Sequence, residues 1–115
     1  MTDIMFYRTG KGNSEVEKYI LSLNEKAKNG NKKAEREMDD ILYALERVED
    51  GMPHSRKLKG ALYEIRAGRY RIPYFRWKGR LVLLTIFRKS TQQTPSHEID
   101  RAEERMKDWI RRDGE

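Results

Sequence analysis

Tyr63, Arg66, Arg69, Tyr70, Arg71, Tyr74, Arg76 and Trp77 interleave aromatic rings with guanidinium groups in one short stretch of the chain. Guanidinium forks bind phosphates through paired hydrogen bonds, and rings or guanidinium planes can stack on unpaired bases. A small sheet also needs aromatics for its core and charges for its wet face, so each residue alone is as readily structural. The charge of the wider segment weighs the balance toward a polyanion. Residues 56–89 hold eleven Lys and Arg (Arg56, Lys57, Lys59, Arg66, Arg69, Arg71, Arg76, Lys78, Arg80, Arg88, Lys89) and a single acid, Glu64, whereas the rest of the chain is net acidic although the whole carries +6. Concentration of positive charge in one third of the chain is the electrostatic signature of nucleic-acid binding.

Other chemistries find little support. There is no cysteine, which removes disulfides, thiolate nucleophiles and cysteine-based metal sites. The two imidazoles lie apart, His54 in a loop and His97 in the first turn of a helix, so neither a metal centre nor a cofactor is expected. Gly10-Lys11-Gly12 lacks the Gly-Lys-Ser/Thr ending of a phosphate loop, and no Gly-x-Ser-x-Gly elbow occurs. The first residues show no basic stretch followed by an apolar run, and no segment approaches the roughly 20 apolar residues of a membrane span. A soluble, unprocessed, cytoplasmic protein is expected.

The elements that must position the basic segment follow from periodicity. At 115 residues, with 37% hydrophobic and 38% charged residues, one domain spanning 1–115 is expected. Asp3 to Arg8 reads as a first strand. Ser14-Glu15-Val16-Glu17 is a capping box opening a helix with Val16, Tyr19, Ile20, Leu23 and Ala27 on one face, stopped by Asn29-Gly30. A second helix from Asn31 carries Ala34, Met38, Ile41, Leu42, Leu45 and Val48 and ends at Asp50-Gly51. From Lys57 the period becomes two: Ala61–Arg66, Arg69–Trp77 and Arg80–Arg88 read as strands joined by tight turns, with Pro73 marking a bulge or an outward-facing backbone position. Thr94 as N-cap and Pro95 at the first helical position open a last helix bearing Ile99, Ala102, Met106, Trp109 and Ile110. The order β-α-α-β-β-β-α predicts an α+β domain of two layers, a curved antiparallel sheet with its helices over one face and the other face wet and basic. Alternation groups Arg71 with Arg69, away from Tyr70 and Ile72, so its guanidinium is expected on the wet side.

Leu58-Lys59-Gly60-Ala61-Leu62-Tyr63-Glu64-Ile65-Arg66, Tyr70-Arg71-Ile72-Pro73-Tyr74-Phe75, the run from Leu83 through Arg88-Lys89-Ser90-Thr91-Gln92-Gln93 to Thr94-Pro95, and Glu98-Ile99 with Ala102 resemble the phage-derived HigB-like branch of the RelE/ParE toxin superfamily. The resemblance covers nearly the whole chain and implies a RelE-like fold. It also implies a type II toxin that cleaves messenger RNA on the ribosome, neutralised by an antitoxin of helix-turn-helix type in a hetero-oligomer. By position, Arg66, Arg71 and Arg88-Lys89 match the family's functional cations; Lys57 and Lys59 are further candidates, with Arg69, Tyr70, Tyr74 and Arg76 as RNA contacts. Relatives often have lysine where this chain has Glu64. Scission of RNA without a metal needs a base for the 2′-hydroxyl proton, cations for the pentacoordinate phosphorane and an acid for the leaving 5′-oxygen. Arginine cannot be the base, since its pKa lies above ~12. Arg66, Arg71 and Arg88 are therefore assigned to phosphate and transition-state stabilisation and Lys89 to stabilisation or acid catalysis. Glu64 is either the base or a structural partner of neighbouring arginines, and ribosomal RNA could supply missing groups. Two rival readings share the fold: a non-enzymatic inhibitor of DNA gyrase like the ParE branch, and an RNA-binding module without catalysis.

Overall fold

The computed structural model describes residues 4–51, 54–90 and 93–113; Asp3 of the expected first strand and Thr91-Gln92 of the motif lie outside the described residues. The elements are β1 (Ile4–Phe6), α1 (Glu15–Lys28), α2 (Lys32–Glu49), β2 (Ser55–Lys59), β3 (Leu62–Ala67), β4 (Tyr70–Trp77), β5 (Arg80–Leu83), β6 (Phe87–Arg88) and α3 (Ser96–Asp113). The protein is an α+β fold with two N-terminal helices, a sheet and a C-terminal helix.

The helix hairpin is locally encoded. The Ser14 side chain accepts from the Glu17 amide and that of Asn31 from the Ala34 amide, capping the two helices. Only half of the capping box forms, because the Glu17 carboxylate turns outward to pair with Arg8 at 2.9 Å. Between the helices Gly30 adopts φ +90°, and the Asn31 amide reaches back to the Lys26 carbonyl at 3.1 Å. This is the left-handed helix stop that glycine permits without a Cβ clash.

The sheet runs β1-β5-β4-β3-β2, with β6 also paired to β4. It is mixed rather than wholly antiparallel: β1 lies parallel to β5, with Ile4 opposite Leu81. A tight hairpin cannot make that pairing, and the chain between the two strands runs through both helices and through β2, β3 and β4. Ser55–Lys59 forms a strand that periodicity does not reveal, since its five residues show no apolar alternation. The expected strand Arg80–Arg88 divides into β5 and β6. The division follows from Pro73. The Leu84 amide donates to the Pro73 carbonyl, which shows that the backbone of Pro73 faces this neighbour, where proline has no donor to continue the ladder.

Helices cover both faces of the sheet, not one. Ile65, Tyr70, Ile72, Tyr74, Leu81 and Leu83 pack against Val16, Leu23, Met38, Ile41 and Leu45 of the hairpin. The alternate residues Leu62, Phe75 and Val82, with Leu84, pack against Ala102 and its neighbours Ile99, Met106 and Trp109 on α3. Ala44, unmarked by the sequence reading, is fully buried, while Leu42, expected on the apolar face, is largely exposed. The α3 N-terminus also differs from expectation. The Ile99 amide bonds to the Pro95 carbonyl, so Pro95 holds the cap position, and the Thr94 hydroxyl is engaged elsewhere. Among the described residues no helix is long and apolar enough to cross a membrane.

Candidate nucleic-acid interface

The β3–β4 ladder fixes which basic side chains share a face. Arg66 stands opposite Arg71 and Glu64 opposite Pro73, while β2 brings Arg56 opposite Glu64. Because antiparallel partners project to the same side, Arg56, Glu64, Arg66 and Arg71 all lie on the α3 face of the sheet. There α3 covers the end marked by Leu62 and Phe75 and leaves the other end to the segment that precedes it.

Glu64 is the centre of this group and is fully buried. Its carboxylate accepts from Arg56 Nε at 2.7 Å on one oxygen and from the Thr94 hydroxyl at 2.6 Å on the other. A buried carboxylate is tolerable only with such partners. Beside it, Arg56, Arg71, Phe87, Lys89, Ser90, Gln93, Thr94 and Pro95 enclose a notch of about 10 Å³, room for one water molecule.

Arg71 lies on the side that alternation predicts, but it is only 6% exposed, a correction to the expectation of an open guanidinium. Its Nη1 donates to the carbonyls of Gly68 and Tyr70, both at 2.8 Å, so the head folds back over the β3–β4 turn. Burial lowers its pKa, Glu64 acts in the opposite sense, and the positive charges of Arg66 and Arg56 lower it further. Arg66 by contrast is exposed and makes no ion pair with any described residue. Lys89 is half-buried in the notch wall, and its amide bonds to the Arg69 carbonyl at 2.7 Å.

Arg88 does not join this group. The β4–β6 register pairs it with Tyr70 and pairs Phe87 with Arg71, which puts Arg88 on the hairpin face. There it sits 5.7 Å from the Tyr70 ring centroid and forms a 2.6 Å ion pair with Glu37 of α2. That hydrogen bond is the main cause of its raised pKa.

The aromatic residues expected to stack on bases are also placed otherwise. Tyr70 and Tyr74 are each 2% exposed. The Tyr70 hydroxyl meets that of Tyr19 at 2.6 Å, and Tyr74 donates to the Ser55 hydroxyl at 3.0 Å. Both rings therefore serve the core, and the aromatic ring at the notch is Phe87, among cations. Lys57 is exposed on the hairpin side of β2, Lys59 pairs with Glu103 of α3 at 3.3 Å, and Arg69 is exposed in the β3–β4 turn. Arg76 is exposed further along β4, five residues or about 16 Å from Arg71 at the usual strand rise.

Two members of the cluster were absent from the sequence-derived site. Arg56 counted only toward the charge, and reading Ser55–Lys59 as a strand in register with β3 would have found it. Thr94 reads locally as a helix cap, and no local signal separates that role from a bond to a carboxylate thirty residues away.

No curated protein matches this chain significantly. Residues 18–107 match the family model described as "Phage derived protein Gp49-like (DUF891)", a span that takes in most of α1, all of α2, strands β2 to β6 and most of α3. That family falls within the RelE/HigB-like toxins, whose members act with an antitoxin partner. The chain therefore belongs to the Gp49-like phage-derived family of RelE/HigB-like toxins.

Proposed function

We propose that the protein is the toxin of a type II toxin–antitoxin pair and cleaves messenger RNA in the ribosomal decoding site without a metal. The observation that carries this reading is that Arg56, Arg71 and Lys89 line one notch on the α3 face, with Arg66 opposite Arg71 across the β3–β4 ladder. Such a group can stabilise the extra negative charge of a pentacoordinate phosphorane, which is where catalysis of RNA scission gains most. Exposed Arg66 meets the scissile phosphate first, Arg71 stabilises its developing charge from below, and Lys89 is the proton donor for the leaving 5′-oxygen.

Glu64 has both oxygens engaged and acts by holding Arg56 and Thr94 in place rather than as the base. The 2′-hydroxyl proton passes to a group of the ribosomal RNA, which accounts for a requirement for the ribosome. Arg88 and the buried Tyr70 and Tyr74 take no part in the chemical step. A cognate antitoxin, of helix-turn-helix type, keeps the basic face from cellular RNA.

The test is to add purified protein to ribosomes programmed with a defined message, with and without chelator, and to map the products. Truncated message ending in a 2′,3′-cyclic or 3′-phosphate, undiminished by a chelator that leaves the ribosomes intact, is expected. Intact message together with trapped gyrase–DNA breaks would overturn the reading in favour of a gyrase inhibitor. RNA binding without cleavage or growth arrest would reduce the protein to a binding module.

A further inference from the structure

Toward α3 and β1 several cations are neutralised, Arg8 by Glu17, Lys59 by Glu103, Arg105 by Glu15 and Arg112 by Asp108, although exposed Lys107 has no ion pair with a described residue. Around the β3–β4 turn, Arg66, Arg69, Lys33, Arg36 and Lys26 make no ion pair with a described residue, although Glu37 and Asp40 lie among them. Four of these five line two adjoining concavities on the hairpin side of the sheet. One, of about 280 Å³, is walled by Tyr19, Lys26, Lys33, Glu37, Tyr70 and Arg88, among others; the second, of about 380 Å³, is walled by Lys33, Arg36, Glu37, Asp40 and Arg69. Lys33 and Glu37 belong to both, so the two form one groove.

The groove is also connected to the notch. Arg66 and Arg71 lie on the α3 face and Arg69 on the turn itself, where it forms part of the groove wall. A positively charged track thus passes from the notch around the end of the hairpin onto α2. Leaving several cations unpaired in a small protein is electrostatically unfavourable unless a counter-charge arrives from outside.

We infer that this groove is a second RNA subsite, which holds the phosphate backbone of the nucleotides flanking the scissile bond as the strand bends around the β3–β4 turn. The inference rests on the RNA-cleaving reading above. A single-stranded phosphodiester backbone fits better than an acidic protein segment. The second concavity is lined by charged side chains alone, whereas a protein interface requires an apolar centre. Glu37 holds Arg88 at the groove floor and limits its strength, so that charge is available without fixing the strand irreversibly.

The experiment measures binding of a fluorescent 2′-O-methyl oligouridine of a dozen nucleotides, which cannot be cleaved, across a range of salt concentrations. A three-nucleotide probe, long enough only for the notch, serves as control. The variant K33A/R36A/R69A removes three exposed cations, and melting temperature checks that it is folded. Its slope of log affinity against log salt should be shallower by about 2, at roughly 0.7 per phosphate contact on a single strand, with the short probe unaffected. Glu37→Gln should act in the opposite direction and tighten binding of the long probe several-fold. Failure of the wild-type protein to bind either probe would remove the RNA reading itself. Normal binding with an unchanged slope in the triple variant would overturn this inference alone. So would loss of antitoxin binding in that variant with RNA binding intact, because the groove would then be a protein site.

Discussion

Arg66 and Arg71 stand directly opposite each other across the β3–β4 ladder, on the same face, with Arg66 in solvent and Arg71 beneath the surface. Like charges in cross-strand register oppose folding, so their pairing is a cost in stability that the phosphate of a substrate would relieve. Arg66→Ala should therefore leave stability unchanged or raise it by up to about 0.5 kcal/mol, while lowering the rate of message cleavage by about 100-fold, the scale of losing one transition-state donor. Thermal unfolding and single-turnover cleavage, measured on the same preparation, separate the two effects. A variant that melts lower and cleaves normally would assign Arg66 to the fold.

Arg71 should behave differently because its head is tied to two carbonyls. Arg71→Ala removes both bonds and is expected to cost about 1–3 kcal/mol, the range for hydrogen bonds to charged groups, as well as a similar factor in cleavage. Arg71→Lys should restore part of the stability through one carbonyl and little of the activity, since an ammonium cannot offer a planar fork to a phosphate. Denaturant unfolding alongside cleavage kinetics would show this. Equal rescue of both properties by lysine would mean that Arg71 acts as charge alone.

The turn that carries these residues depends on Gly68. Its φ is +60°, and a Cβ built there would fall 2.4 Å from the Asp40 carboxylate of α2. Gly68→Ala combines left-handed strain of about 1–2 kcal/mol with displacement of Asp40. Adding Asp40→Ala should recover only the steric part. A double-mutant cycle on unfolding free energy measures the split, and full recovery would show that backbone strain is negligible.

The Tyr19–Tyr70 hydroxyl pair gives the fold an alkaline limit. Burial, and then the bond to Tyr19, raise the pKa of Tyr70 above its ordinary 10.0. The folded state thus favours neutral Tyr70, a contribution fully present below about pH 10 and lost as pH rises through the raised folded value. Tyr70→Phe should cost about 1 kcal/mol at neutral pH and flatten the alkaline loss of stability. Stability followed against pH for both proteins tests this, and an unchanged alkaline loss in the Phe variant would assign the limit to another group.

Much of this arrangement was legible in the sequence and some was beyond it. The cap at Ser14, the start of the second helix near Asn31 and the β4–β5 register, with Trp77 opposite Arg80, follow from local spacing. At the first hairpin the expected turn Ala67-Gly68 moves by one residue, because Ala67 pairs with Tyr70 and the turn is Gly68-Arg69, so that Arg66 meets Arg71 and not Arg69. Depth does not. Arg71 shares the notch with Lys89, Ser90, Gln93, Thr94 and Pro95, a proximity no periodicity reports. The position of Arg88 illustrates the sharper limit. An unbroken strand from Arg80 would put residue 88 on the same side as Val82, facing α3. The break at 84–86 shifts the phase, so that Ile86 enters the hairpin-side core and Arg88 follows Tyr70. A one-residue change of phase moves every later side chain to the other face. The parallel β1–β5 pairing and the strand Ser55–Lys59 depend likewise on partners distant in sequence.

Glu64 is the residue at which the two chemical readings part. As a general base it would have to face the 2′-hydroxyl with an open lone pair. As observed, one oxygen receives Arg56, the other receives Thr94, and no part of the residue is exposed. Glu64→Gln is nearly isosteric and can keep one oxygen for Thr94 or Arg56, but it removes the charge that balances Arg56 and Arg71. If Glu64 positions these groups, the variant should lose about 1–3 kcal/mol of stability, the cost of a weakened buried charged bond, with at most about a tenfold fall in cleavage. The pH dependence of the rate should keep the shape of the wild type, because the titrating base lies elsewhere. If Glu64 were the base, cleavage should fall by about 100-fold to 10,000-fold and the acid limb of the profile should disappear, with little change in melting temperature. Measuring rate against pH together with unfolding thus distinguishes the roles by pattern rather than by size. A second variant, Arg56→Gln, supplies an independent check: it should reproduce the modest loss of the Glu64→Gln protein if the pair acts as one unit, and the double variant should then be little worse than either single one. Additive losses across that cycle would separate the two residues and reopen a direct chemical role for Glu64.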